Sequence, residues 1–536
     1  MPDSALTLIA DADPAAAAIS TSRALYDSSD VVVLAGPQDP LAITLGASTA
    51  VALGVPLLLS MPTNPSNTTS APGSQPSQSP ATGVVDLLGA EFDRLGVSVV
   101  LAVGTEAAQH VPAVSDADAI PVAAEPSAIG EVIGVAFGVT EPVSSDGLPA
   151  AFAALDPSEP VALLPAGVAP SEAGAQAGSD NVRFPEVKRP DAVTGTVLLA
   201  TSSPEALPGI ATARAAGVPV QVVAPEQLDP RSSSDAIATL SDLKPRAVIA
   251  LGTGYASQQG LDWKLQTAAT GALLPGGGQV LFPQRMFVAL YGYTEGSALG
   301  VLGEQDANGA VQRAIETAGQ YNDLVPTPVV PMFEIIATVA SEFPGLDGNY
   351  TAEADVAQLQ PWVDAAGAAG IYVVLDLQPG RTDFLTQAQL YEPLLRLPHV
   401  GLALDPEWRL KPDEVHLRQI GSVGIGEVNA VVAWLADLTQ VNGLPQKLLV
   451  LHQFVTDMIQ NRELLDTSRE ELAVLIHVDG YGAPGDKQAT WQTIRADAPA
   501  NVYWGWKNFI DEDLPLLTPS QTIAQAVPTP ELITYQ

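Results

Sequence analysis

Carboxylic acids, histidines and aromatic rings recur in this chain at the ends of apolar runs, and that is where chemistry could sit. Gly401-Leu-Ala-Leu-Asp-Pro-Glu-Trp408 runs small and apolar and then presents two acids and a tryptophan. Residues two apart on a strand share a face, so Gly401, Ala403, Asp405 and Glu407 are expected to line one side. Neighbouring runs repeat the design. The run 329–336 carries Glu334 on the face of Met332, 371–377 carries Asp376 with Tyr372 and Val374, and 447–454 carries His452 with Leu448 and Val450. The run 472–479 ends in His477 and Asp479, 286–293 in Tyr291 and Tyr293, and 501–507 in Trp504, Trp506 and Lys507.

Paired carboxyls of this kind fit hydrolysis of a glycosidic bond, in which one carboxylic acid protonates the leaving oxygen and a second, ionised, serves as base or nucleophile. Glu407 lies next to Trp408, where an apolar wall would hold its proton near neutral pH, and is the candidate acid. Asp479 is its first candidate partner and Asp376 or Glu334 the next, while Asp405 is expected to orient Glu407. Tyr291, Tyr293, His452, His477, Trp408, Trp504, Trp506 and Lys507 are the candidate substrate contacts, with Trp504 and Trp506 alternating around Gly505 as an exposed stacking platform for sugar rings. Plainer roles compete: Asp376 can cap a helix, and His452 can be a hydrogen-bonded core residue.

A metal hydrolase is the rival chemistry, with Asp376, His452, His477 and Asp479 as donors for Zn²⁺ or a similar ion. The first strand carries no His-x-His, and the sequence contains no His-x-x-x-His, so neither a metal nor any other cofactor is expected. A serine hydrolase is disfavoured because no Gly-x-Ser-x-Gly elbow is present.

Elements that collect such residues at one end are strands of a (β/α)8-like barrel, whose chemistry sits at the carboxyl ends of its strands. Alternating strand-like and helix-like segments from 285 onward support seven such strands, with an eighth to be supplied by 508–536. A doubly wound open sheet is the alternative. The barrel is expected over 280–536, after a linker at Leu274-Pro-Gly-Gly-Gly278.

The front half reads as tandem α/β units. Val31-Val-Val-Leu-Ala35 is suited to a strand buried on both faces, followed by a helix at 41–53, Gly54-Val-Pro56, a strand at 57–59, a helix at 84–95 and a strand ending in Gly104-Thr105. The order returns with Thr196-Val-Leu-Leu-Ala200, Gly217-Val-Pro219, and Ala247-Val-Ile-Ala-Leu251 running into Gly252-Thr253. The expected domains are 1–115 and 191–275 as two α/β units, with 116–190 as a degenerate third unit or connector. The first unit alone contains the polar, proline-broken tract 64–80, expected to be a flexible loop. On Val-Val-Leu-Ala, the turn at Asp39-Pro40, Leu-Gly-Val-Pro-Leu-Leu-Leu and Leu-Gly-Val-Ser-Val-Val-Leu-Ala-Val-Gly, residues 20–260 resemble the cell-wall-binding repeat 2 family. The resemblance implies α/β modules that bind envelope polymers on the surface of Gram-positive bacteria. The barrel half resembles glycoside-hydrolase barrels in layout.

Composition bounds the rest. With 23 basic and 60 acidic residues the net charge is −37, which repels nucleic acid and anionic membranes. Cysteine is absent, so disulfides, thiolate metal sites and a cysteine nucleophile are excluded. No apolar run is long enough for a membrane span, and no leader is recognisable at the N-terminus. The expected protein is extracellular or surface-bound, with a carbohydrate or envelope polymer as its partner and its oligomeric state open. A purely adhesive protein with an inactive barrel is the rival from a different class.

Overall fold

The computed structural model describes residues 4–60, 80–168 and 183–536, which fall in two compact units, 1–265 and 266–536. All but the last residue of the tract 64–80 lies outside the described residues.

The first unit holds two four-stranded sheets. One is ordered Leu57–Leu59, Val31–Ala35, Val99–Val103, Asp118–Val122, and all its pairings are parallel. Val31–Ala35 and Val99–Val103 are buried at every position, as the unbroken Val/Leu/Ala runs require. The Asp39 carboxylate caps the helix Pro40–Leu53 by accepting from the amides of Leu41 and Ala42, and Gly54 ends it in the left-handed region at φ 76°. Gly217, at φ 75°, follows the helix Leu207–Ala215 in the same way. Both Gly-Val-Pro triplets thus stop a helix and turn the chain into a strand.

The second sheet runs Leu6–Ile9, Ala247–Leu251, Thr196–Thr201, Val220–Val223, again all parallel. In each sheet the strand that comes first in the motif is flanked by the second on one side and the third on the other. The fourth strands differ in origin: Asp118–Val122 follows its sheet in sequence, whereas Leu6–Ile9 comes from the start of the chain. The boundaries expected at 115/116 and 190/191 therefore do not separate the sheets, because residues on both sides of each contribute strands. An apolar core with members from Ile9 to Leu251 is shared by both sheets.

In the second unit eight parallel strands close on themselves: β1 (Met286–Gly292), β2 (Val329–Ala340), β3 (Tyr372–Leu377), β4 (Val400–Leu404), β5 (Lys447–His452), β6 (Leu472–Val478), β7 (Tyr503–Asn508) and β8 (Leu532–Tyr535). Closure is made by β1, which pairs with both β2 and β8. A short antiparallel strand, Thr351–Glu353, is added to β2. The eighth strand is where the count required it, within 508–536. The open-sheet alternative is excluded by closure.

Strand parity sorts the core. Phe287, Ala289, Met332, Tyr372, Val374, Ala403, Leu448, Val450, Ala473 and Leu475 fill the barrel interior. Their neighbours in sequence, such as Val288, Leu290, Phe333, Val373, Leu449 and Val474, pack outward with the surrounding helices. Leu274, Leu281 and Phe282 belong to the interior cluster, so the glycine-rich segment at 274–278, expected as a linker, is part of the second unit. The apolar Leu274 anchors it at the amino end of the barrel.

Candidate active site

The inward-facing positions turn polar at the carboxyl ends. Tyr291 of β1 stands in register with Glu334 of β2, His452 of β5 with His477 of β6, and Lys507 of β7 with Thr534 of β8. Asp376 is on β3, and Asp405 and Asp479 follow the last residues of β4 and β6. Glu334, Asp376, His452 and His477 are wholly inaccessible to solvent, while Asp405 and Asp479 are 2% and 6% exposed.

His452 is the hub of this layer. Its Nε2 lies 2.7 Å from Glu334 Oε1 and its Nδ1 3.0 Å from Asp479 Oδ2. Burial alone would push the imidazole down, but Glu334, Asp479 and Asp376 reverse this and hold it well above the usual histidine range. As an imidazolium it donates from both nitrogens. His477 Nδ1 lies 3.3 Å from His452 Nδ1, and its Nε2 3.1 Å from Thr534 Oγ1. Burial, the His452 charge and Lys507 keep His477 neutral, well below its ordinary value. The tautomer that fits accepts at Nδ1 and donates from Nε2. Gly505 makes room for this ring, since a Cβ there would lie 2.4 Å from His477 Cδ2.

The carboxyls divide into two kinds. Burial raises Asp479, but the hydrogen bond from His452 and its charge outweigh that and hold it below the usual range, so it is ionised. Glu407 goes the other way, to about 7, through burial and the nearby Asp479 charge, partly offset by Lys507. Asp405 is held well above its usual range by burial and by Glu407. Asp376 is raised to about 6, chiefly by burial, although it accepts a 2.9 Å hydrogen bond from the Tyr291 hydroxyl. One oxygen each of Glu334, Asp376, Asp405 and Asp479 is buried without a protein partner.

These groups open onto a cavity of about 450 Å³ whose wall includes Tyr291, Asp405, Glu407, Trp408, Asp479 and Lys507. The Lys507 ammonium sits 3.7 Å from the centre of the Tyr291 ring. Another cavity of about 300 Å³, lined by Leu290, Arg313, Leu517 and Tyr535 among others, carries no carboxylate. Glu334, His452 and His477 have donor atoms within 4.8 Å of one another and are the trio among the described residues that could hold a metal ion. Both His452 nitrogens already face partners, so an ion would have to displace one of them.

Glu334, Asp376, Asp405, Glu407, His452, His477, Asp479, Tyr291, Trp408 and Lys507 are thus brought to one end of the barrel. The remaining candidates are not. Trp506 is 1% exposed and stacks edge-on against Trp491 at 5.5 Å, and Trp504 also meets Trp491, at 6.0 Å. The exposed platform at Trp504 and Trp506 is therefore corrected: Tyr503, Gly505 and Lys507 take the inner face, and the two indoles join the helix-side core. Tyr293 packs on the outer core as well. The shared strand face of Asp405 and Glu407 is also corrected, because β4 ends at Leu404 and Pro406–Trp408 forms a 3₁₀ turn. Proline has no amide to continue the ladder.

Other contributors carry no motif. Gln378, Phe454, Tyr481, Phe509, Glu512 and Gln536 complete the wall from loops and chain ends. Beneath it, Lys487 Nζ donates to the carbonyls of Gly480 (3.0 Å) and Lys507 (2.6 Å) and pairs with Asp513 at 2.8 Å. Asp513 in turn accepts from the amides of Gly482 and Phe509, stitching the loops after β6 and β7 together.

Comparison with known proteins adds little. No protein-family model matches the chain. No curated protein matches it either. Among solved structures it is similar to Cwp6 from Clostridium difficile, at 14% identity and a TM-score of 0.33, over 63% of each chain. The match leaves more than a third of each chain uncovered, and nothing about activity is carried over from it.

Proposed function

We propose that the barrel is a glycan hydrolase working by carboxylate acid–base catalysis, and that the front unit consists of wall-binding α/β units that hold it at the cell envelope. The observation that carries the catalytic part is the opposite displacement of two carboxyls on one cavity wall: Glu407 is raised to about 7 and Asp479 is held low. Environments that push paired acids apart assign the roles of acid and base. Glu407, protonated near neutral pH, gives its proton to the leaving glycosidic oxygen. Asp479, ionised and oriented by His452, acts as base toward water or as nucleophile at the sugar carbon. Lys507 and the His452 imidazolium limit the build-up of negative charge around them.

The envelope part draws on the sequence resemblance and on the matching strand order of the two front sheets. A surface location follows from that reading. Among the described residues no helix is long and apolar enough to cross a membrane.

The test is a reducing-end screen against envelope and plant polysaccharides. The expected outcome is cleavage of one class, with Glu407→Gln and Asp479→Asn each losing about 10²–10⁴ in turnover while keeping the wild-type circular dichroism. Absence of cleavage by a protein that still sediments with cell walls would favour a binding protein with an inactive barrel. Stoichiometric metal retained after dialysis, and lost in Glu334→Gln or His477→Ala, would favour metal-assisted hydrolysis instead.

A further inference from the structure

The cavity wall restricts the charge of what it can receive. Among the described residues that line it, Asp405, Glu407, Asp479 and Glu512 are acids and Lys507 is the single cation. Directly behind, Glu334 and Asp376 add two more carboxyls, while His452 is taken up between Glu334 and Asp479. Asp405 Oδ1 and Asp479 Oδ1 have no protein donor, although both side chains are more than nine-tenths buried. An unpaired buried carboxylate oxygen is destabilising unless a ligand or solvent supplies a donor and, better, a positive charge.

The shape of the wall separates the kinds of cation. A bare metal ion needs several ligand atoms converging on one point. The trio that converges within 4.8 Å is Glu334, His452 and His477; the free oxygens of Asp405 and Asp479 are outside it. The cavity is large enough for sugar rings, and Trp408, Phe454 and Tyr481 line it with aromatic rings, a side-chain type that attracts both carbohydrate and cations. Neutral hydroxyls would satisfy the free oxygens as donors but would bring no positive charge to the ionised Asp479. An ammonium group does both.

We propose that the barrel mouth takes a glycan bearing free amino groups, with an ammonium seated against Asp405 and Asp479. This rests on the glycan reading above and narrows it to a polycationic amino sugar. Such a polymer would also be drawn to the protein by its overall charge of −37.

The experiment is calorimetric titration and a cleavage assay with matched probes: tetramers of glucosamine and of galactosamine, each fully N-acetylated and fully de-N-acetylated, plus a tetramer of glucose. One de-N-acetylated tetramer is expected to bind about tenfold or more tighter than its acetylated twin, the margin of one charge-assisted hydrogen bond. In Asp405→Asn, and separately in Asp479→Asn, that preference should fall to within about threefold. The preference is read within each variant, so partial loss of folded protein does not imitate the result. Equal or better binding of the acetylated or glucose tetramers would overturn the amino-sugar proposal and leave the glycan hydrolase standing. An undiminished preference in both variants would overturn the placement on Asp405 and Asp479. If neither these probes nor any polysaccharide of the wider screen is bound or cleaved, the glycan reading itself is lost and this proposal with it.

Discussion

The two ends of the barrel bury charged groups in opposite ways. At the amino end, Lys447 is wholly buried, and its ammonium donates to the carbonyls of Leu397 (2.9 Å) and Val400 (2.8 Å). Arg285, just ahead of β1, turns its guanidinium onto the carbonyls of Pro275, Gly277, Val280 and Leu281. Burial depresses Lys447 to about 7 and Arg285 to about 10, yet both are supplied with backbone acceptors. At the carboxyl end four acids keep an oxygen with no protein partner. Cations given carbonyls close the barrel at the amino end; under the proposed function, the acids at the other end are kept for a substrate.

The largest expected effect separates the ends outright. Asp479→Asn should lower turnover per folded molecule by about 10²–10⁴, because it removes the ionised group, and it also costs stability by breaking the pair with the buried His452 imidazolium. An amino-end substitution should leave turnover per folded molecule untouched. Lys447→Met leaves two carbonyls without a donor, and should lose about 1–3 kcal/mol in chemical denaturation while turnover per folded molecule is unchanged. Since folding releases the Lys447 proton above about 7 and the unfolded chain holds its proton until about 10.4, the wild type gains on this variant as pH rises between those values. Turnover per folded molecule that falls in Lys447→Met, or that survives in Asp479→Asn, would break the contrast.

A smaller effect sharpens it. Glu407 keeps its proton up to about 7 in the folded state, whereas the unfolded chain releases it near 4.3. Between those values the folded state binds more protons, so stability falls as pH rises. Glu407→Gln removes that decline, and its melting temperature should gain a few degrees on the wild type as pH rises from about 4.3 to about 7. Such a gain, paired with lost turnover, is what a group held against its preference for function produces. Least of all, Trp504→Phe should leave KM within about twofold, because the indole packs toward Trp491 on the helix side and not on the cavity wall.

Much of this end was legible in the sequence because parity carries the information. Glu334, Asp376, His452 and His477 all sit two or four residues beyond apolar positions that fill the barrel, and the same alternation brings them to its mouth. Alternation does not say which face is inward, and at β7 the tryptophans pointed to the wrong one. The apolar indoles belong with the helices, and the lone Lys507 marks the interior. β8 is four residues long, and too little alternation survives in so short a strand for its Thr534 to be noticed. The pair Lys487–Asp513 joins loops distant in sequence and leaves no local signature. In the first unit the edge strand Leu6–Ile9 could not be assigned to the later sheet, because only closure of the fold brings the start of the chain beside Ala247–Leu251.

The central claim is that Glu407 supplies a proton to the leaving group and Asp479 does not. Its most direct measurement uses two glycosides of the sugar found by screening, one with a poor leaving group that needs protonation and one with a dinitrophenolate that departs without it. The account predicts that Glu407→Gln, impaired by about 10² or more on the first, recovers to within about tenfold of wild type on the second, while Asp479→Asn stays impaired on both. Equal impairment of Glu407→Gln on both glycosides, or rescue of Asp479→Asn instead, would contradict it.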